Sequence, residues 1–254
     1  MFNGARIVGP ALAGLLIGVV GLAGCFLANG LSYVAVIVGY FLMRVPPAKP
    51  PAQTNSLWQD TLEAVRFVRG NPVVLRIMIM VAILSLFGWP YTVLMPVFAR
   101  DILHVGAAGL GYLMAANGVG AFLGAFTLAS LGDHPHKRRL FYGGALGFCA
   151  TITAFAFATT FWLAAVTLAV AGWCLIVTFA TANTAVQLRC PDELRGRVMA
   201  LYSLAFIGLS PVGSLMAGAM ARRFGAPTAV WTGAGICALG AVALMVQQPN
   251  TAKS

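Results

Sequence analysis

Charge is scarce in this sequence. Of its 254 residues only 9% are charged, and just six are acidic. A soluble domain carries about 25% charge, so this chain cannot cover a water-facing surface of its own size. The apolar share of 60% excludes intrinsic disorder as well. The five cysteines lie far apart, mostly inside apolar runs, with no CxxC or Cys/His pairing. That excludes a metal or thiol redox centre of the usual spacing. The three histidines, His104, His134 and His136, fall in loops and read as solvated. No Gly-rich phosphate loop and no catalytic triad is present. The sequence therefore supports no enzyme, no cofactor and no metal site.

What is there is apolar length. Six charge-free stretches cover residues 7–43, 77–99, 102–132, 140–188, 198–221 and 224–252. A bilayer-spanning helix needs about 20 residues. The first and fourth stretches are long enough for two spans each and the others for one, so eight spans are expected. Backbone groups must be satisfied inside hydrocarbon, which makes the spans helices and the fold class all-α integral membrane. Tight turns are expected at Gly21-Leu22-Ala23-Gly24 and at Thr159-Thr160, where interface-type Phe161-Trp162 follows. Gly111, Gly118, Gly120 and Gly124 in one span suit close helix packing. Leu22-Ala23-Gly24-Cys25 looks like a lipobox, but it runs straight into another apolar helix rather than a polar mature segment.

The net charge of +10 has a topological cause. With the N-terminus in the cytoplasm, 13 of the 16 Lys and Arg lie inside and only Arg100, Arg222 and Arg223 outside. That asymmetry places both termini in the cytoplasm and removes the case for a nucleic-acid partner.

The largest hydrophilic segment runs from residue 44 to 72. It opens with Pro46-Pro47-Ala48-Lys49-Pro50-Pro51, and a helix is expected over residues 56–70. Ser56 and Gln59 have capping-box spacing. Trp58, Leu62, Val65 and Phe67 or Val68 give an apolar side; Asp60, Glu63, Arg66 and Arg69 give a charged one. The helix ends at Asn71-Pro72 and reads as a cytoplasmic linker along the membrane surface.

This linker leaves two spans before it and six after it. Pro10, in Gly9-Pro10-Ala11-Leu12-Ala13-Gly14, and Pro211, in Ser210-Pro211-Val212-Gly213-Ser214, each begin a small-residue stretch followed by one further span. Spans one and two thus look like counterparts of seven and eight. Parallel six-span repeats are a transporter architecture. Residues 73–246 then form one complete half-bundle, residues 1–43 the last two spans of the other, and residues 247–254 a cytoplasmic tail. Four spans of the first half are expected to be missing ahead of residue 1.

Four segments carry a resemblance to a known family: residues 6–14, residues 63–72, Pro191-Asp192-Glu193-Leu194-Arg195-Gly196-Arg197-Val198, and residues 210–214. With them the chain resembles the major facilitator superfamily, in the branch of enterobactin exporters and transmembrane secretion effectors. The resemblance spans the whole chain but matches only the last eight of twelve spans. It implies a bacterial inner-membrane exporter of small amphipathic organic molecules, drug- or siderophore-like, working by alternating access. A proton is the implied coupling ion, and the full-length protein is expected to be a monomer.

The loop Gly132-Asp133-His134-Pro135-His136-Lys137-Arg138-Arg139 resembles the family's cytoplasmic-gate motif, with His134 and His136 replacing an Arg and a Gly. Asp133 is expected to meet Arg195 or Arg197, or the helix N-terminus near Val198. Gly9, Pro10 and Gly14 resemble the family's antiporter motif, with Ala13 in place of one Gly. No Asp, Glu, Lys or Arg lies deep in a span, so coupling groups are expected elsewhere. The neutral residues Trp89, Tyr91, Asn117, Asn183, Gln187 and Tyr202 are the candidates for lining a substrate cavity. Inter-helix hydrogen bonding is the competing role for the amides. Two helices cannot enclose a site opposite the six-span bundle. The other reading of the chain is therefore a non-transporting membrane fragment without independent activity.

Overall fold

The computed structural model describes residues 30–43, 57–131 and 137–246, with Gly24 and Leu27 besides. All regular structure among the described residues is helical. A short apolar helix, α1, covers Gly30–Leu42. The linker helix α2 is Leu57–Gly70. Six helices long and apolar enough to cross a membrane follow: α3 (Pro72–Ile102), α4 (Gly106–Leu131), α5 (Lys137–Ala156), α6 (Phe161–Arg189), α7 (Asp192–Phe224) and α8 (Ala226–Val246). They match the six spans expected after the linker. The turn expected at Thr159-Thr160 falls between α5 and α6, with Thr160 at the N-cap of α6. The Gly21–Gly24 hairpin and the first span lie outside the described residues. The described side chains of α1 are exposed.

The spans outrun the charge-free stretches because charges ride on their first turns. α3 begins four residues ahead of Arg76, and α7 begins at Asp192, ahead of Arg195 and Arg197. Asn71 caps α3: its Oδ1 accepts from the amides of Val73 and Val74, each at 3.2 Å. Pro72, with no amide to satisfy, occupies the first turn. Asp192 and Glu193 sit in the first turn of α7, where the helix dipole favours acids. Gly225, at φ 89°, closes α7 and turns the chain at once into α8.

α6 is the most buried span and α7 the least. α6 packs along α4 and α5, and α5 packs along α8. The four glycines expected to serve packing, Gly111, Gly118, Gly120 and Gly124, are all buried in α4. Two contacts between α4 and α6 are reciprocal. A Cβ on Gly120 would lie 1.7 Å from the Ala169 carbonyl oxygen, and one on Gly172 2.2 Å from that of Asn117. Each backbone presses on the other at a glycine, and neither has a flexible atom to move aside. The core around α5 is aromatic, with Phe98 and Phe155 at 4.5 Å between ring centroids.

The linker helix docks by the end of its expected apolar side, Phe67 and Val68, together with Ala64, which lay outside that expectation. Ala64 and Val68 are buried, whereas Trp58 is 75% exposed and Leu62 is also exposed. The reason is size. Small Ala64 lets α2 approach the start of α7, and Trp58 and Leu62 lie on the opposite side of the cylinder.

Replacing Gly120 by Ala should lower thermal stability in detergent by roughly 2–3 kcal/mol or abolish folding, because backbone must shift. Gly143→Ala, in α5, where a Cβ meets nothing within 4 Å, should be neutral or stabilise by up to about 1 kcal/mol. Thermal unfolding of the two variants side by side checks the contrast.

Candidate functional site

Two spans are broken, and the breaks face each other. α3 loosens into a π-helical turn at Leu84–Gly88, then turns at Trp89-Pro90 before resuming at Tyr91. α7 does the same at Leu204–Gly208 and resumes at Ser210-Pro211. The proline shortly beyond each π turn cannot donate to the helix ladder. Pro211, expected as a kink residue, thus stands at a break. Its counterparts Gly9, Pro10 and Gly14 lie outside the described residues.

The breaks are bound together. The buried Ser85 hydroxyl, in the π turn of α3, donates to the Phe206 carbonyl in the π turn of α7 at 2.7 Å. Gly213 on α7 lies against the Leu86 carbonyl, and Gly233 on α8 against that of Phe87; a Cβ at either would sit within 2.4 Å. Beside this joint is an aromatic cluster. Trp89 meets Phe206 edge-on at 5.8 Å, and Phe206 meets Phe179 of α6 at 4.5 Å.

A cavity of about 250 Å³ opens between α3 and α4 beside the break, lined by Trp89, Thr92, Met95, Met114, Asn117, Gly118 and Ala121. Its walls are apolar and thioether, with one indole, one hydroxyl and one carboxamide. Among the sequence candidates, Trp89 and Asn117 line it. Tyr91 does not; it is 2% exposed, and its hydroxyl accepts from Asn117 Nδ2 at 2.9 Å. The same nitrogen donates to the Leu168 carbonyl at 3.1 Å. The Asn117 amide therefore ties α3, α4 and α6 together beside the cavity. Tyr202 is buried in the aromatic cluster and donates to the Phe179 carbonyl at 3.1 Å. Asn183 and Gln187 pair with each other one turn apart on α6, with Gln187 exposed. They are not among the lining residues. Met95 and Met114 are liners that sequence reasoning missed. Each sits three residues from a polar liner, Thr92 and Asn117 respectively, and that spacing was their signal.

A second opening, of about 600 Å³, lies towards the other end of α7 among Leu94, Val97, Ser214, Leu215 and Gly218, with Arg100, Asp101 and Arg222 at its edge.

Of the expected ionic latch, only the two arginines are described. Asp133 lies outside the described residues. Arg195 pairs with Asp192 on its own helix at 2.6 Å. Arg197 reaches back to the linker helix, 2.9 Å from Asp60 and paired also with Glu63. Between α6 and α7, burial pushes the Cys190 thiol up, keeping it protonated and unreactive.

The described residues thus form a helical bundle of six candidate membrane spans, two of them broken beside a small cavity. The sequence matches the transmembrane secretion effector family over residues 1–253. The chain belongs to that family, within the major facilitator superfamily. It is 26% identical over 242 residues to enterobactin exporters from Escherichia coli O1:K1 / APEC and Escherichia coli O45:K1. A third such exporter, from Shigella boydii serotype 18, matches at the same identity. The match covers 94% of this chain but only 57% of each relative. The chain thus spans little more than half the length of the curated relatives it matches. It is a multi-pass membrane protein of a transporter family.

The Arg197 pairs should hold α2 in place. Arg197→Gln should raise the maleimide reactivity of a cysteine at position 68, otherwise buried, by roughly fivefold, as expected for about 1 kcal/mol of partly exposed ion pairing. Labelling rates of Val68→Cys with and without the second substitution check this.

Proposed function

We propose that the protein is a secondary active exporter of small amphipathic organic molecules, drug- or siderophore-like, and that residues 73–246 form one of its two half-bundles. Residues 1–43 are then the last two spans of the other half, residues 44–72 the cytoplasmic linker and residues 247–254 a cytoplasmic tail. Both termini face the cytoplasm of a bacterial inner membrane. The observation that carries this reading is the cavity at Trp89 and Asn117, set where α3 is broken. An indole face, two thioethers and a carboxamide suit a flat, partly polar organic solute better than an ion or a sugar. The relatives named as enterobactin exporters point the same way, to an organic export substrate. A break in a span lets its two halves move separately, which is what rocking access needs. The wall opposite this cavity comes from spans other than these six. A titratable coupling group, for a proton or otherwise, also lies outside their mid-depth.

Inverted membrane vesicles carrying these spans together with a complete partner half-bundle should accumulate an amphipathic dye or a catecholate siderophore saturably when a proton gradient is imposed. Met114→Trp, which fills the cavity from a partly exposed position, should raise the apparent KM roughly tenfold, the effect of about 1.4 kcal/mol of lost binding. Unchanged kinetics in Met114→Trp, at equal protein level, would remove the cavity from the transport path. Absence of saturable movement for every compound would refute the export reading itself.

A further inference from the structure

The linker helix has a second face that the bundle does not use. All of its acids point one way: Asp60 and Glu63 are both engaged by Arg197. Ala64 and Val68 are buried on that side. Projected at 100° per residue, Trp58, Leu62, Val65, Arg66 and Arg69 share the remaining arc. Trp58 and Leu62 are exposed, as are both arginines. Among the described residues neither Arg66 nor Arg69 has an acidic partner. The outer face is thus aromatic, aliphatic and purely cationic.

Its place is fixed by chain connection. A single residue, Asn71, separates the end of α2 from the first turn of the spanning helix α3, and Arg197 holds α2 against the first turns of α7. The helix therefore lies at the boundary where two spans enter the bilayer. Trp at that depth keeps its ring among the headgroups. Arginine there meets phosphate, and exposed cations near an anionic leaflet are each worth about 1 kcal/mol.

We infer that the Trp58–Leu62–Arg66–Arg69 face of the linker helix docks on anionic lipid headgroups of the leaflet at its own end of the bundle. The acids, both paired with Arg197 on the other side of the helix, lie away from that surface. This inference rests on the chain spanning the membrane and is independent of transport, so its test needs no substrate.

The purified chain is placed in nanodiscs of brominated phosphatidylglycerol or brominated phosphatidylcholine. The Trp58 share of the fluorescence is read as the difference between the natural chain and Trp58→Phe. Quenching of that share is expected in phosphatidylglycerol, relieved by salt, and weak in phosphatidylcholine. Arg66→Gln with Arg69→Gln should lower the docked-to-free ratio in phosphatidylglycerol roughly thirtyfold. Leu62→Cys carrying an environment-sensitive dye gives a second readout, with its emission blue-shifted only in the anionic discs. Equal quenching in both lipids, or quenching untouched by the double substitution, would overturn the role of headgroup charge. A Trp58 quenched in neither lipid would overturn the docking altogether, whether water or protein covers it.

Discussion

Hydrocarbon offers no hydrogen bonds to a peptide group, and the joint at Leu84–Gly88 is built around that constraint. A π turn frees carbonyls from the helix ladder, and in lipid each would cost several kcal/mol if left bare. Here the freed groups are covered from two sides. Ser85 turns the deficit outward by donating to the Phe206 carbonyl of the facing break. Gly213 and Gly233 let α7 and α8 close over the carbonyls of Leu86 and Phe87. Without small residues at those two places the neighbouring helices would stand off. The break would then open to lipid.

The same constraint explains where charge appears. Ionised groups are expelled from the middle of the spans and gather at the ends, where water and headgroups solvate them. At one end of α7 this gives Arg197 and its two linker acids; at the other, Arg222 above the larger opening. An arginine fork held by carboxylates on a separate helix fixes position as well as charge. The linker helix is consequently part of the six-span unit, and any tilt of the first half of α7 must carry α2 with it.

The spans were legible in the sequence because expulsion of charge is a one-dimensional signal. It marked all six helices after residue 72, the Thr159-Thr160 turn and the glycine face of α4. The faces of α2 were not legible. The apolar side read from the pattern held Trp58, Leu62, Val65 and Phe67 or Val68, and only its last members are covered, beside Ala64, which the pattern did not single out. The partners of Arg197 were hidden because Glu63 lies 134 positions away in the sequence. In the candidate cavity, Trp89 and Asn117 were legible as polar or aromatic residues stranded in hydrocarbon. Tyr91 had the same signature but spends it inside the core, as the acceptor that fixes Asn117.

That last pairing shows how one amide joins three helices beside the cavity. Asn117 has two amide hydrogens and one oxygen. Nδ2 donates to Tyr91 Oη and to the Leu168 carbonyl, so both hydrogens are used within the bundle. The orientation of the amide is then set by α3 and α6, so a shift of either helix is carried to the cavity wall beside Trp89.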